Sequence, residues 1–259
     1  MKKIFMSILL LATVIFTGCG DLNETNKLVI GLDDEYAPMG FRDERNAIVG
    51  FDVDLAKEVA RRMGVTVEFR PIDWTKKEEE LDSGRIDMIW NGLDITPERR
   101  EKILFSKPYM DNRQIVFVKY GENPGIISAV DLAGKIVGTQ AGSTAEDYIE
   151  TNANLKNSFR ELKTFNSYMN ALNALGDGEI DALICDEIVG RYAMNKSLDK
   201  FEALDITIGD VSQFGIGFRK DNVELRDKVQ TVFDEIIKDG TAKKISENWF
   251  QADLINVHR

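Results

Sequence analysis

The chain has 259 residues, 43% of them apolar, which is enough for one or two substantial cores. Its formal net charge of −11 argues against a nucleic-acid partner, which requires a basic surface to neutralise phosphates. The single histidine, His258, is the penultimate residue, so a histidine-based catalytic triad or zinc site is excluded. The two cysteines, Cys19 and Cys185, do not make a disulfide framework.

The first residues have the pattern of an export signal. A positive start is followed by an apolar run over residues 4–16, which is shorter than the ~20 residues needed to cross a bilayer. The next residues, TGC, end at Cys19 and resemble the lipobox of bacterial lipoproteins, although Phe16 stands where leucine is usual. We therefore predict a signal peptide over residues 1–18 and a lipidated Cys19 on a polar tether over 19–26. The alternative is an ordinary secretory cleavage that leaves a free thiol.

The chain after the tether alternates between strand and helix patterns. Residues 28–32 are typical of a buried strand, and Asp33 opens the loop at its carboxyl end, where ligands lie in open α/β sheets. Asp52 is expected to cap a helix that Gly64 ends. The sequence then predicts a strand over 65–69, a helix with a solvated charged face over 76–83, and a strand over 86–90.

The stretch after that strand, WNGLDITPERR at residues 90–100, combines a strand end with a helix start. The apolar run ends at Trp90, an Asn-Gly pair breaks it, and Thr96 and Pro97 suit the cap and first position of a helix. Free backbone N–H groups at a helix start attract anions, and the Arg99 guanidinium adds a fork suited to a carboxylate. The stretch predicts a site for an anionic ligand group. The alternative is that Arg99 is an ordinary solvated helix residue.

The second half of the chain follows the same order of elements. A strand over 136–139 ends in the small-residue turn 140–144, which leads into a helix. Asn166 is expected to cap a helix that runs to residue 175, and a strand over 182–185 places Asp186 at its exit. The remaining predicted elements are a strand over 214–218 and helices over 223–238 and 241–250.

A short sequence pattern, G-x-I-D-x-[IL], occurs twice, starting at Gly84 and at Gly178. Each copy follows a predicted helix and enters a predicted strand. The repetition predicts two similar α/β lobes that face one another.

Seven sequence blocks, in order over nearly the whole chain after the tether, resemble the type II extracytoplasmic solute-binding proteins of amino-acid ABC transporters. The blocks begin at residues 30, 49, 84, 105, 137, 180 and 215 and read IGLDDEYAPMGF, VGFDVDLAKEVARRMG, GRIDMIWNGLDITPERR, FSKPYM, VGTQAGSTAEDY, IDALICDE and GIGFRK.

The resemblance implies two α/β lobes joined by two crossover strands, near 112–114 and 210–213, with the ligand between the lobes and hinge closure on binding. Lobe 1 is then residues 27–111 with 212–259, and lobe 2 is residues 112–211. The implied partners are a free amino acid, the permease subunits of an ABC transporter and, through the lipid anchor, the membrane. We expect an extracytoplasmic monomer with no catalytic activity, cofactor or metal.

The same resemblance implies roles for particular residues. Arg99 matches the arginine that pairs with the ligand α-carboxylate, and Asp186 matches the acid that receives the α-ammonium. Asp94, Ser143 and Thr144 are expected to bind the ligand through their backbone amides, and Gly92 through its carbonyl. The other expected ligand-binding residues are Asp33, Tyr36, Trp74, Asn91 and Gln140.

Two departures from the family pattern bear on the choice of amino acid. Asp94 stands where serine or threonine is frequent, and Asp33 matches a position where an acid serves binders of cationic amino acids. If both side chains face the cleft, its acids outnumber its one cation, Arg99. The excess negative charge favours a cationic amino acid, namely arginine, lysine, ornithine or histidine, with Tyr36 or Trp74 stacked on the cationic end. The alternatives are a binder of cystine or of a polar neutral amino acid, an exported dehydratase-like enzyme on the same fold, and a sensor that docks to a receptor.

Overall fold

The computed structural model describes residues 27–122, 125–197 and 200–256. The predicted signal peptide, the lipidated Cys19 with its tether, and His258 lie outside the described residues. Within these ranges, no helix has both the length and the apolar character needed to cross a bilayer.

Two long strands divide the elements into two lobes. The strands before the first of them are β1 (Lys27–Leu32), β2 (Glu35–Tyr36), β3 (Gly40–Arg42), β4 (Ile48–Val49), β5 (Thr66–Pro71), β6 (Met88–Asp94) and β7 (Ile103–Phe105), with helices α1 (Phe51–Met63), α2 (Lys77–Asp82) and α3 (Pro97–Lys102). The long β8 (Met110–Lys119) leads to β9 (Ile136–Gln140), α4 (Thr144–Thr151), α5 (Ala153–Ser158), β10 (Glu161–Phe165), α6 (Tyr168–Gly176), β11 (Ala182–Asp186) and α7 (Glu187–Lys196). The long β12 (Phe201–Arg219) returns to α8 (Val223–Lys238) and α9 (Thr241–Phe250).

One sheet runs through both lobes in the order β10-β9-β11-β8-β12-β6-β1-β5, with β7 paired to β12. Strands β9, β10 and β11 are parallel in one half, and β1, β5 and β6 are parallel in the other. Between them β8 and β12 pair antiparallel, from Phe201 opposite Lys119 to Phe214 opposite Met110. These two strands therefore connect the lobes. The strand predicted over 214–218 is only the end of β12, because pairing with β8 also holds the polar residues before it.

The repeated glycine pattern packs in the same way in both lobes. In the first copy, the Ile86 side chain fills the space where a Cβ on Gly31 of β1 would lie, 2.5 Å from the Ile86 Cδ1. In the second copy, Ile180 covers Gly138 of β9 at 2.4 Å. Each isoleucine is almost fully buried, at 1% and 3% exposure. Both lobes therefore use a glycine on the central parallel strand to admit the isoleucine of the motif.

The aspartates of the pattern also match. The backbone N–H of Val29 donates to Asp87 Oδ2, and that of Ile136 donates to Asp181 Oδ2, each at 2.7 Å. The backbone N–H of each aspartate returns a bond to the carbonyl of the same residue at 2.8 Å. The prediction of two similar lobes is confirmed by this shared arrangement.

Asp52 does not cap α1, contrary to the sequence prediction. Gly50 holds the N-cap position, where a Cβ would lie 2.3 Å from the Met39 carbonyl oxygen. Asp52 lies inside the first turn, fully buried, and accepts hydrogen bonds from the Gly92 N–H at 2.7 Å and the Tyr109 hydroxyl at 2.9 Å. Burial raises the pKa of Asp52 to about 7, against the opposing effect of these hydrogen bonds. The residue joins α1 to β6 beneath the cleft.

Two other boundaries differ from the prediction. Strand β6 does not end at Trp90 but continues to Asp94, with Gly92 at a φ of +57° and a shift in its pairing with β12. Such a shift lets a strand absorb an irregular residue without ending. Helix α6 is capped by the hydroxyl of Ser167, which accepts the Asn170 N–H, and Asn166 lies one residue before the cap.

Candidate ligand-binding cleft

Four polar side chains follow or end parallel strands at the edge where the two lobes meet. Asp33 comes directly after β1 and Asp94 ends β6, whereas Gln140 ends β9 and Asp186 ends β11. Because parallel strands in each lobe present their carboxyl ends to the same edge, the fold brings these groups together. All four are buried, with exposures between 1% and 8%.

The lobes are in direct contact through these residues. Gln140 donates to Asp33 Oδ2 across the cleft at 2.6 Å, and the Tyr36 hydroxyl donates to Asp186 Oδ2 at 2.7 Å. Burial raises the pKa of Asp33 to about 6, although hydrogen bonds from the Glu35 backbone and Gln140 oppose the rise. The structure is therefore the closed arrangement of the two lobes.

Arg99 lies on the first turn of α3, as predicted. Thr96 caps that helix by accepting the Arg99 N–H at 3.2 Å, and Pro97 is its first residue. The guanidinium is buried and donates to the Asp94 carbonyl at 3.3 Å and, across the cleft, to the Gly142 carbonyl at 3.2 Å. It also reaches Asp147 Oδ2 at 3.3 Å, on a side chain that is 60% exposed. The alternative of a solvated Arg99 is wrong.

Lys77 is a second buried cation of the cleft that the sequence prediction missed. The run around it was predicted as a solvated helix face, yet Lys77 is only 5% exposed. Its ammonium donates to the Gly142 carbonyl of the other lobe at 2.9 Å and to the Trp74 carbonyl at 3.2 Å, and lies 5.4 Å from the Trp74 ring centre. Burial, together with the charge of Arg99, lowers the pKa of Lys77 to about 8. Its position three residues after Trp74, on the same helical face, was the signal available in the sequence.

Asp94 and Asp186 form a carboxylate pair bridged by side chains of the crossover strands. The amide of Asn112 donates to Asp94 Oδ1 at 3.0 Å and also to Asp186 Oδ1, and Gln114 donates to Asp186 Oδ1 at 2.6 Å. Ser212 of β12 donates to Asp94 Oδ1 at 2.6 Å.

The pKa of Asp186 is shifted by this environment. Burial raises it to about 7, the charge of Asp94 adds to the rise, and hydrogen bonds from Tyr36, Asn112 and Gln114 oppose it. The family resemblance implies a crossover near residues 112–114, but it assigns no ligand-binding side chains there. Their i, i+2 spacing, which puts both amides on one face of a strand, was the signal.

Asn91 and Gly92 lie behind the cleft residues. The Asn91 side-chain oxygen accepts the Asp33 N–H at 2.9 Å and so fixes the loop after β1. A Cβ on Gly92 would lie 2.6 Å from the Tyr36 ring, so the glycine allows that ring to cross the cleft toward Asp186.

Ser143 is the N-cap of α4, and Thr144 is the first residue of that helix. The Ser143 hydroxyl caps the helix by accepting the Glu146 N–H at 3.1 Å. The Thr144 hydroxyl oxygen is buried and has no hydrogen-bond partner among the described residues.

A cavity of about 610 Å³ opens between the lobes beside Arg99. Arg99 and Thr144 line it, together with Gln114 and Ser212 of the crossover strands. The other predicted side chains lie outside its walls, in the contacts that join or support the closed lobes. No cluster of potential metal ligands occurs within residues 27–122, 125–197 and 200–256.

Two α/β lobes on a pair of crossover strands, with opposite charges buried between them, define a hinged binding protein of the type II periplasmic class. The chain belongs to the bacterial extracellular solute-binding proteins, family 3, whose family model matches residues 28–252. This membership confirms the resemblance read from the sequence blocks.

Relatives with known ligands span nearly the same length. The chain is 30% identical to the L-cystine-binding protein TcyJ of Escherichia coli, over 90% of this chain and 86% of that protein. It is 34% identical to the putative ABC transporter arginine-binding protein 2 of Escherichia coli, over 83% and 87%. The crystal structure of a Streptococcus pneumoniae ABC uptake transporter substrate-binding protein with bound histidine superposes with a TM-score of 0.84 at 37% identity, covering 90% of this chain and 95% of that one.

Proposed function

We propose that this protein binds a free amino acid between its lobes outside the cytoplasm and delivers it to the permease of an ABC transporter. The observation that carries the proposal is the burial of Arg99 opposite Asp186 in the cleft, each from a different lobe. A zwitterion enclosed between lobes needs both of its charges paired, because an unpaired buried charge is strongly unfavourable. Arg99 and Asp186 are the two partners that such a ligand requires.

The proposed pose puts the α-carboxylate at Arg99 and at the backbone amides of Asp94, Ser143 and Thr144. The α-ammonium lies between Asp186 and the Gly92 carbonyl. The side chain then extends among Asp33, Tyr36, Trp74, Asn91 and Gln140. Because Asp33 and Gln140 contact each other directly in the closed structure, a ligand side chain that lies there replaces their hydrogen bond. Binding therefore requires the lobes to open first and to close on the ligand.

The charges of the cleft favour a cationic amino acid. The buried acids Asp33, Asp94 and Asp186 stand against the buried cations Arg99 and Lys77, which leaves one negative charge in excess when all are ionised. A ligand with one net positive charge balances the site, whereas a neutral zwitterion leaves the excess in place. The arginine-binding and histidine-bound relatives support this choice, and the cystine-binding relative supports the alternative of a neutral ligand.

An enzymatic role is not part of this proposal. Two acids near the cleft, Glu35 and Asp94, could serve such chemistry, and both have hydrogen-bond partners. Glu35 accepts from Ser167 across the cleft, and Asp94 accepts from Asn112 and Ser212. We further propose the lobe boundaries given above and anchoring to the membrane through a lipidated Cys19.

A thermal-shift panel of the proteinogenic amino acids with ornithine and cystine tests the proposed function. A ligand that binds only the folded protein raises the unfolding midpoint, by an amount that grows with its concentration relative to Kd. We expect arginine, lysine, ornithine or histidine to give the largest shift. Shifts from glutamine or cystine but from no basic amino acid would contradict the cationic preference, and turnover of the bound compound would favour the enzyme.

A further inference from the structure

Of the two polar atoms in the Gln114 side chain, only the nitrogen has a hydrogen-bond partner among the described residues. It lies on β8, is 2% exposed, and donates from Nε2 to Asp186 Oδ1 at 2.6 Å. Its Oε1 is buried and has no hydrogen-bond partner within the described part of the chain. The side chain also lines the cavity that contains Arg99.

The orientation of this amide follows from its partner. When Asp186 pairs with an ammonium it is ionised, and an ionised carboxylate only accepts hydrogen bonds, so the NH₂ group of Gln114 then faces Asp186 and Oε1 faces elsewhere. Donation to a carboxylate also polarises the amide and makes its oxygen a better acceptor. A buried acceptor without a partner is unfavourable, which indicates that a donor from outside the described residues completes the site.

An ammonium group has three N–H donors and needs three acceptors when it is enclosed. The proposed pose supplies two of them, the Asp186 carboxylate and the Gly92 carbonyl. We propose that Gln114 is a ligand-binding residue whose Oε1 accepts the third hydrogen bond of the ligand α-ammonium. This inference rests on the proposed function, since it assumes an amino acid with its ammonium at Asp186. It gives a crossover strand a direct part in recognition.

The test uses calorimetric titration to compare an amino acid with the analogue that lacks only its α-amino group. The two pairs are lysine with 6-aminohexanoate and arginine with 5-guanidinopentanoate. Wild-type protein is expected to prefer the amino acid. Gln114→Leu, which keeps the bulk and removes the acceptor, is expected to weaken the amino acid roughly tenfold, by the loss of one hydrogen bond to a charged group, and to leave the analogue unchanged. Gln114→Glu retains an acceptor and is expected to keep the preference.

The matched control is Gln213→Leu on the other crossover strand. Its amide donates to Asp111 at 2.8 Å and the residue is not among those lining the cavity, so its binding ratios are expected to equal those of wild type. If Gln114→Leu fails to fold, as judged by circular dichroism, Gln114→Asn withdraws the oxygen by one methylene and is expected to show the same loss. An unchanged ratio of amino acid to analogue in Gln114→Leu, or in Gln114→Asn where that variant replaces it, would overturn the inference alone. Failure of wild type to bind any amino acid of the thermal-shift panel would overturn the proposed function and the inference with it.

Discussion

Arg99 and Asp186 hold the two charges on which the proposed recognition depends. Arg99 comes from the start of α3 in one lobe and Asp186 from the end of β11 in the other. Each is also held from its own side of the cleft: Arg99 donates to the Asp94 carbonyl, and Asp186 accepts from Asn112 and Gln114. Their own surroundings therefore hold both groups in position before a ligand arrives.

Replacing either residue is expected to remove most of the affinity. Arg99→Ala and Asp186→Ala should each cost about 2 to 5 kcal/mol of binding free energy, because each leaves one ligand charge buried without its partner. Calorimetric titration with the amino acid that gives the largest thermal shift measures the loss. Arg100→Ala, an exposed neighbour on the same helix, is the control and should bind as wild type does. Unchanged titrations of the Arg99 or Asp186 variants would remove those residues from the site.

Lys77 shows why the chemistry of a residue cannot always be read from its sequence neighbours. Lys76, Lys77, Glu78 and Glu79 form a run typical of a solvated face, and Lys76 and Glu79 of that run are exposed. The ammonium of Lys77 is buried because lobe 2 closes over it and supplies the Gly142 carbonyl. That partner is 65 residues away in the sequence, so only the closed fold reveals it.

At the scale of elements, the sequence predicts what local pattern controls. Helices α8 and α9 occur at the predicted bounds, because their amphipathic patterns and flanking turn residues are complete in the sequence. Strand β12 was predicted only in part, since residues such as Asp205 and Gly209 lack a strand pattern and lie at irregularities in its pairing with β8. Asp52 was assigned to the cap position by residue type, whereas its carboxylate is used in a buried contact with Tyr109. The same limit applies to the site. Residues at strand ends were predicted, whereas Asn112 and Gln114 of the crossover strand, and Lys77, which lobe closure buries, were not.

The repeated aspartates give a matched test of the two lobes. Asp87→Ala and Asp181→Ala each leave one strand N–H, that of Val29 or Ile136, without its acceptor. Each is expected to lower the free energy of unfolding by about 1 to 3 kcal/mol, measured by urea denaturation. Asp82→Ala, at an exposed position on α2, should stay within about 0.5 kcal/mol of wild type. A loss in only one of the two lobes would contradict their equivalence.

At the scale of the whole molecule, closure of the two lobes places two acids in water-poor surroundings. Burial raises the pKa of Asp33 to about 6 and that of Asp186 to about 7, from an ordinary value of 3.8. Closure therefore favours their protonated forms. The resulting stability of the closed form is complete below pH 3.8 and is lost as the pH rises through 6 to 7.

The empty protein is accordingly expected to open as the pH rises from 5 to 8. Small-angle scattering without ligand should show a larger radius of gyration at pH 8 than at pH 5. The double variant Asp33→Asn, Asp186→Asn should show little change, because neither replacement titrates. A smaller radius at pH 8 than at pH 5 in wild type would contradict the expected sign.

The central claim is that a cationic ligand balances the charge of the closed cleft, and matched pairs of charged and neutral ligands test it most directly. Calorimetric titrations of arginine against citrulline and of lysine against norleucine, at one pH and salt concentration, compare ligands that differ mainly in the charge of the side chain. We expect the cationic member of at least one pair to bind ten times or more tightly than its neutral partner, a difference of about 1.4 kcal/mol or more. Equal affinities within both pairs, or tighter binding of the neutral members, would contradict the claim.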